Sequence, residues 1–370
     1  MKILIVDTYY PAALKQLRER LSKLNLLSYS NQLKFLHSQH FGTGDAYSYY
    51  LNSLGYQARE IIANDEILQK SWAKEHGVNI KENHFLAKIK SLPYIYRFVG
   101  KPRWMQEILL AQIADFKPDL IYFQDLTVLD PTFLEIVHTQ YALVGQIASS
   151  PPPPQYLHHF DLLLSSLPNL VDKFNKMGIK SKLFRIGFDS RIHTKVGKHK
   201  RIYETVFIGS FSPYHRYGTK LLEAVAKHIT IHVWGNGTHF LSPRSALRNN
   251  FHGAVWGTNM YKILSKAKIV VNRHIDIAGD YANNMRMYEA TGMGALLLTE
   301  QKKNISELFI PGKEVVTYND AADLVNKIQY YLSHENERKK IALAGQKRTL
   351  RKHTYANRMK ELVAILHKAL

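Results

Sequence analysis

The chain has no cysteine, which removes disulfides, thiolate metal sites and thiol nucleophiles from consideration. Its histidines are scattered and no Asp-x-Asp pair occurs, so neither a metal nor another cofactor is expected. No apolar run approaches the ~20 residues that a transmembrane helix needs. Acidic residues are scarce beside basic ones: 30 Asp and Glu against 50 Lys and Arg, a net charge of +20 with His neutral. Such a field draws polyanions, whether nucleic acid, anionic lipid headgroups or phosphorylated small molecules. The cations are spread along the whole chain, with no zinc finger, helix-turn-helix or ribonucleoprotein motif. Nucleic acid is therefore not the expected partner.

The chain does have bulk and apolar content. At 370 residues and 45% hydrophobic it can bury a sizeable core, and its length suggests about two domains. Met1-Lys2-Ile3-Leu4-Ile5-Val6-Asp7 turns acidic too soon for a secretory signal and reads as a buried strand. A cytoplasmic location follows as an expectation.

Further strands are predicted at 57–62, 119–123, 142–147 and 161–165, separated by helical stretches at 12–27 and 45–54. Strands alternating with helices indicate a parallel sheet covered on both faces. Pro151–Pro154 cannot continue a strand and form a stiff loop at a strand's carboxyl end. The polar, basic stretch 187–200 marks a boundary. Beyond it a second series predicts strands at 204–209, 230–234, 268–272, 294–299 and 313–317. Helices are predicted at 217–227, 259–266, 283–291, 320–332, 336–350 and 355–369. The fold class is α/β, with two Rossmann-like, doubly wound parallel-sheet domains. The division is 1–190, 200–352 and a C-terminal helix within 353–370 that can pack back on the first domain. Two such sheets in tandem place a cleft between their carboxyl ends.

From about 200 to 360 the chain resembles the CgeB-like (spore maturation type) glycosyltransferases of the GT-B fold. The likeness rests on Phe207-Ile208-Gly209-Ser210, Val233-Trp234-Gly235, Phe251-His252-Gly253, Val271-Asn272-Arg273 and the run Asn284 to Thr299. Glu307-Leu308-Phe309, Glu314-Val315-Val316 and His353-Thr354-Tyr355 extend it. The first half is similar only through Gly42-Thr43-Gly44-Asp45 and the stretch from Asp161 to Pro168. The resemblance implies that the second domain binds a nucleotide-sugar donor and the first an acceptor. Many retaining members of the wider fold carry two glutamates eight positions apart. Glu289 matches the second, but Tyr281, with Asp280 beside it, stands where the first belongs. Retaining and inverting transfer both stay open.

Several residues acquire candidate roles. Asn283 or Asn284 can cap the helix that ends before Gly292, and a helix N-terminus suits a diphosphate. Arg286 in its first turn adds a charge-assisted contact, and Glu289 on the same face can accept from ribose hydroxyls. The competing reading makes these two an ion pair on a solvated helix. Gly209 and Ser210, followed by His215 and Arg216, form a strand-end loop that can approach phosphate. Arg273 lies just past a strand, where doubly wound sheets place ligands. On the acceptor side Asp125 can serve as a general base, or be only a buried hydrogen-bond acceptor. Asp45 is an N-cap or a catalytic group, and His37 and His40 are structural by default. Between 70 and 104, lysines and arginines interleave with Trp72, Phe85, Tyr94, Tyr96, Phe98 and Trp104. That pattern suits an anionic membrane surface, hence peripheral attachment, or an ordinary solvated face.

The function these readings support is a metal-independent glycosyltransferase that moves a sugar from a nucleotide donor to an acceptor hydroxyl, the acceptor being a glycan, a lipid-linked sugar or a small molecule. Arg286 and a helix N-terminus would meet the leaving diphosphate. The alternative is a non-catalytic protein that binds a sugar phosphate or a polyanion, nucleic acid included.

Overall fold

A computed structural model of the chain describes residues 1–20, 23–80 and 101–370. The first domain holds a six-stranded, all-parallel sheet. Its strands are β1 (Lys2–Asp7), β2 (Gln57–Ile62), β3 (Leu120–Phe123), β4 (Ala142–Gln146), β5 (Leu162–Ser165) and β6 (Ser181–Leu183), in the order β2-β1-β3-β4-β5-β6. The second holds β7 (Tyr203–Ile208), β8 (His232–Trp234), β9 (Ala267–Asn272), β10 (Leu296–Glu300) and β11 (Val316–Tyr318), in the order β11-β10-β9-β7-β8. Helices cover both faces of each sheet. Strands such as Ile3 to Val6 and Leu296 to Leu298 are therefore buried along their whole length, and they read as unbroken apolar runs rather than alternating ones.

The strand order locates the site. In the first sheet the chain leaves β1 toward β2 on one side and later returns to β3 on the other. In the second it leaves β7 toward β8 and then crosses to β9. Doubly wound sheets bind ligands outside the strands' carboxyl ends where this direction reverses. Both reversals, β1/β3 and β7/β9, open onto one shared cavity of about 930 Å³.

Several elements differ from expectation. The first helix stops at Glu19, and a second one, Tyr29–Ser38, follows. Helices Ala46–Ser53, Glu66–Glu75, Arg103–Phe116, Pro131–His138, Pro154–Leu157 and Pro168–Lys176 are also described in the first domain. The stretch expected to mark the domain boundary, which links the two domains, contains a helix, Ser190–Val196, whose N-cap Asp189 accepts from the Arg191 amide. β10 begins at Leu296 rather than 294, because Gly294 (φ 72°) turns the chain out of the preceding helix.

The last helix, Tyr355–Ala369, returns to the first domain. Tyr355, Met359, Leu362 and Leu366 pack with Ile3, Ile5, Tyr47 and Tyr122 against that sheet. The chain thus crosses between domains twice, and the crossings are bonded to each other. Phe188 N–H donates to His353 O at 2.8 Å, and Tyr355 N–H donates to Phe188 O at 3.0 Å.

Of the basic aromatic segment, residues 81–100, with Lys81, Phe85, Lys88, Lys90, Tyr94, Tyr96, Arg97 and Phe98, lie outside the described residues. Trp72 is buried, stacked on the His76 ring, and Trp104 packs on the core. No helix among the described residues is long and apolar enough to cross a membrane.

Candidate functional site

The second-domain wall of the cleft is assembled at β7, β9 and the helix Met285–Gly292. This helix is short and almost wholly buried, and its N-terminus opens into the cavity. Asn284 is its cap: the side-chain oxygen accepts from Met287 N–H at 3.3 Å, satisfying one of the unpaired first-turn amides. The Asn284 side-chain NH2 in turn donates to Asn272 Oδ1 and to Arg273 O. One asparagine therefore ties the helix start to the end of β9. Asn283 lines the cleft beside it, buried, with its Oδ1 unpartnered.

Arg286 and Glu289 do form the i,i+3 ion pair, at 2.7 Å, but not on a solvated face. Their side chains are 16% and 6% exposed, and both line the cavity. Tyr261 OH donates to the other carboxylate oxygen of Glu289 at 3.2 Å, while Arg286 Nε donates to Ile208 O at 3.2 Å. The pair is thus held on two sides, and the guanidinium is aimed by β7 rather than left free.

Arg273 is the more unusual cation. It is 6% exposed and lines the cleft. It donates to Ser210 O at 2.9 Å and to His215 O at 3.4 Å, and lies over the Phe207 and Phe211 rings. Among the described residues no carboxylate pairs with it, and its Nε is buried without a partner. Burial lowers its pKa to about 10, with Tyr318, Glu300 and Asp276 opposing. A buried guanidinium without a counter-ion is costly by itself and suits an anion that arrives with the ligand. Gly218 makes room for it: a Cβ there would lie 2.2 Å from Arg273 Cδ. We expect Gly218→Ala to displace the guanidinium and to cost about 1–3 kcal/mol of stability by overpacking, read by thermal melting, with little loss of helix. Two histidines flank this cation. Burial drives His215 to about 4 and His274 to about 3, so both stay neutral near pH 7.

Other expected donor residues are placed differently. Gly209 N–H donates to Trp234 O, and a Cβ on Gly209 would meet the Phe207 ring at 2.9 Å, so its smallness serves packing as well as the cleft. Arg216 does not line the cavity. Its side chain is exposed, and its amide donates to Asp276. Gly292 packs against the Phe188 ring at 2.8 Å from a notional Cβ, so its role is to admit the linker. Asp280 does not replace the missing glutamate, being exposed and paired with Lys303 at 2.6 Å.

On the first-domain wall, Asp125 follows β3 and lines the cleft, but its oxygens are heavily engaged. Thr127 N–H and Oγ1 donate to Oδ1, and Thr8 Oγ1 donates to Oδ2. Asp45 leaves the acceptor site altogether. It neither lines the cavity nor caps its helix, because Arg191 of the linker helix binds both of its oxygens. His40, Asp45 and Asp189 approach one another closely enough for a cation. The Arg191 guanidinium already bonds both carboxylates, at 2.6 and 2.7 Å, and fills that role. Sequence reasoning passed over Asp7 and His274, each at or just beyond the carboxyl end of a central strand; position at a strand end was the available signal.

Residues 216–364 match a family described as glycosyl transferase-like. Among solved structures, HepE from Anabaena in complex with UDP-glucose superposes with a TM-score of 0.59 at 14% identity, all of both chains covered. Sucrose-phosphate synthase from Thermosynechococcus elongatus gives 0.58 at 12%, again over both whole chains. A glycosyltransferase from Rickettsia africae gives 0.55 at 12%, over 100% of this chain and 98% of that one. No curated protein matches the chain by sequence. The architecture is thus the two-domain GT-B fold of glycosyltransferases, with a glycosyl transferase-like segment in its second half.

Proposed function

We propose that this protein is a glycosyltransferase that uses a nucleotide-diphosphate sugar, with UDP as the nucleotide. One observation carries the proposal: the two sheet reversals face each other across a single cavity, and its second-domain wall presents Arg273, Arg286 and a capped helix N-terminus. That wall suits a diphosphate, which takes both the partial charge of a helix start and a guanidinium fork. The UDP-glucose bound by HepE, a protein of the same fold, supports the choice of nucleotide. Glu289, open to the cavity, is the acceptor for the ribose hydroxyls. As the bond from sugar to phosphate breaks, charge grows on the leaving oxygen. Cations fixed in place meet it without reorganising, and the apolar walls limit attack by water.

Titration with UDP tests this reading. A ligand at a hundred times its dissociation constant stabilises the native state by about 2.7 kcal/mol, so the melting temperature should rise with UDP. Glu289→Gln should bind UDP about 1–3 kcal/mol more weakly, the range for a charged hydrogen bond. No shift with UDP in the parent would sink the proposal, and an unchanged dissociation constant in the variant would remove Glu289 from the ribose. Acceptor-dependent release of UDP separates the enzyme from a protein that only binds.

A further inference from the structure

Asp7 is the last residue of β1, and Asp125 lies just beyond the end of β3, on the two sides of the first sheet's reversal. Thr8 links them: its N–H donates to Asp7 Oδ1 at 2.7 Å and its hydroxyl to Asp125 Oδ2 at 3.0 Å. Both carboxylates line the cavity, opposite the wall that carries Arg273 and Arg286. They are not equivalent. Asp125 accepts three hydrogen bonds, two on one oxygen and one on the other, so neither oxygen is free of a donor. Asp7 accepts only the one from Thr8, and among the described residues nothing donates to its Oδ2. We propose that Asp7 is the general base that takes the proton from the acceptor hydroxyl, with Thr8 and Asp125 as its positioning residues.

The electrostatics agree. Burial, with Asp125 adding and the Thr8 amide opposing, raises the Asp7 carboxyl to about 7, where a base for chemistry at neutral pH is best matched. The titratable groups around it are acids. Asp125 stands on the β3 side and Glu60 on β2, itself raised well above the usual carboxylate range by burial. The phenols of Tyr9, Tyr10 and Tyr47 are all pushed up, by burial first. In the step itself, the acceptor oxygen forms its bond to the anomeric carbon while its proton passes to Asp7 Oδ2. The bond from that carbon to the diphosphate oxygen breaks, and its electron pair leaves with the UDP. Asp7 then returns the proton to solvent. A single displacement of this kind inverts the anomeric centre. The assignment rests on the glycosyltransferase reading above and adds the acceptor-side group and the stereochemistry to it.

The test uses the full chain and water as acceptor. UDP release from UDP-glucose, UDP-galactose and UDP-N-acetylglucosamine is followed between pH 5.5 and 8.5, and the freshly released sugar is identified by proton NMR before it mutarotates. The expected result is a parental rate that rises through about pH 7 and then levels, with the β-anomer released from these α-linked donors. Asp7→Asn should turn over about 10²–10⁴-fold more slowly, with no such rise and a UDP dissociation constant within about twofold of the parent. Asp7→Glu should recover part of the rate. Parental turnover in Asp7→Asn, or release of the α-anomer, overturns the assignment while leaving the glycosyltransferase reading intact. Failure of the parent to bind UDP or to release it from any of the three donors overturns that reading, and the role of Asp7 with it.

Discussion

Arg286→Ala should reduce turnover by about 10²–10³-fold, the loss seen when one preorganised charge donor is removed from a transition state, and should weaken UDP binding by much less. An interaction made only as charge develops shows in the catalytic constant rather than in ground-state affinity. Arg286→Lys should bind UDP almost as the parent does yet turn over slowly, since an ammonium keeps the charge but not the planar two-donor fork. Stability needs separating from chemistry here, because Arg286 holds Glu289 at 2.7 Å. Removing one partner of a buried pair costs up to about 3–5 kcal/mol. The double variant Arg286→Ala/Glu289→Gln, which removes both charges, should recover most of that stability and none of the turnover. Recovery of both in the double variant, measured by melting and steady-state kinetics, would assign Arg286 a purely structural role.

Leu362→Ala should destabilise the protein by about 2–5 kcal/mol, the cost of a buried leucine truncated where neighbours cannot collapse. Leu362 is fully buried in the layer between the last helix and the first sheet, beside Ile3, Ile5 and Tyr122. The effect should be felt far away in sequence. Amide hydrogen exchange should accelerate in β1 and β3, more than 230 positions earlier, while β9 and β10 keep their protection. Equal acceleration in both sheets would show instead that the two domains open together.

Much of this architecture was legible in the sequence, for a physical reason. A parallel strand buried on both faces is a continuous apolar run, so the runs at 2–7, 268–272 and 294–299 announce themselves, and β10 differs by two residues at its start and one at its end. The helices Tyr29–Ser38 and Glu66–Glu75 were harder. Each buries polar side chains, Gln32 in one and Gln69 in the other, which blurs the 3.6-residue stripe that identifies an amphipathic helix. Site residues followed the same division. Arg273, Arg286 and Glu289 lie within a few positions of a strand end or helix start, and that position marked them although their partners Ser210, Ile208 and Tyr261 are distant in sequence. Asp45 was marked in the same way, yet its partner Arg191 comes from a linker helix 146 residues away, and no spacing signals that return. Asp7 stood in plain view at the end of the first strand. What singles it out is the sheet order, which brings β3 rather than β2 to the side where Asp125 lies.

The return of the last helix to the first sheet fixes an order of events during synthesis. The ribosome delivers residues 1–190 first, but one face of their sheet, covered in part by the helix Ala46–Ser53, is not fully covered until Tyr355–Ala369 leaves the exit tunnel. The domain made first is therefore the one finished last. Until then the nascent chain leaves part of the apolar layer around Ile3, Ile5 and Tyr122 open, a surface of the kind that holding chaperones bind. A chain cut short by a premature stop codon near residue 354 would contain every residue of the cleft except Tyr355, yet would leave that surface bare. Quality control in the cell would then treat a molecule with a nearly complete cleft as an unfolded one.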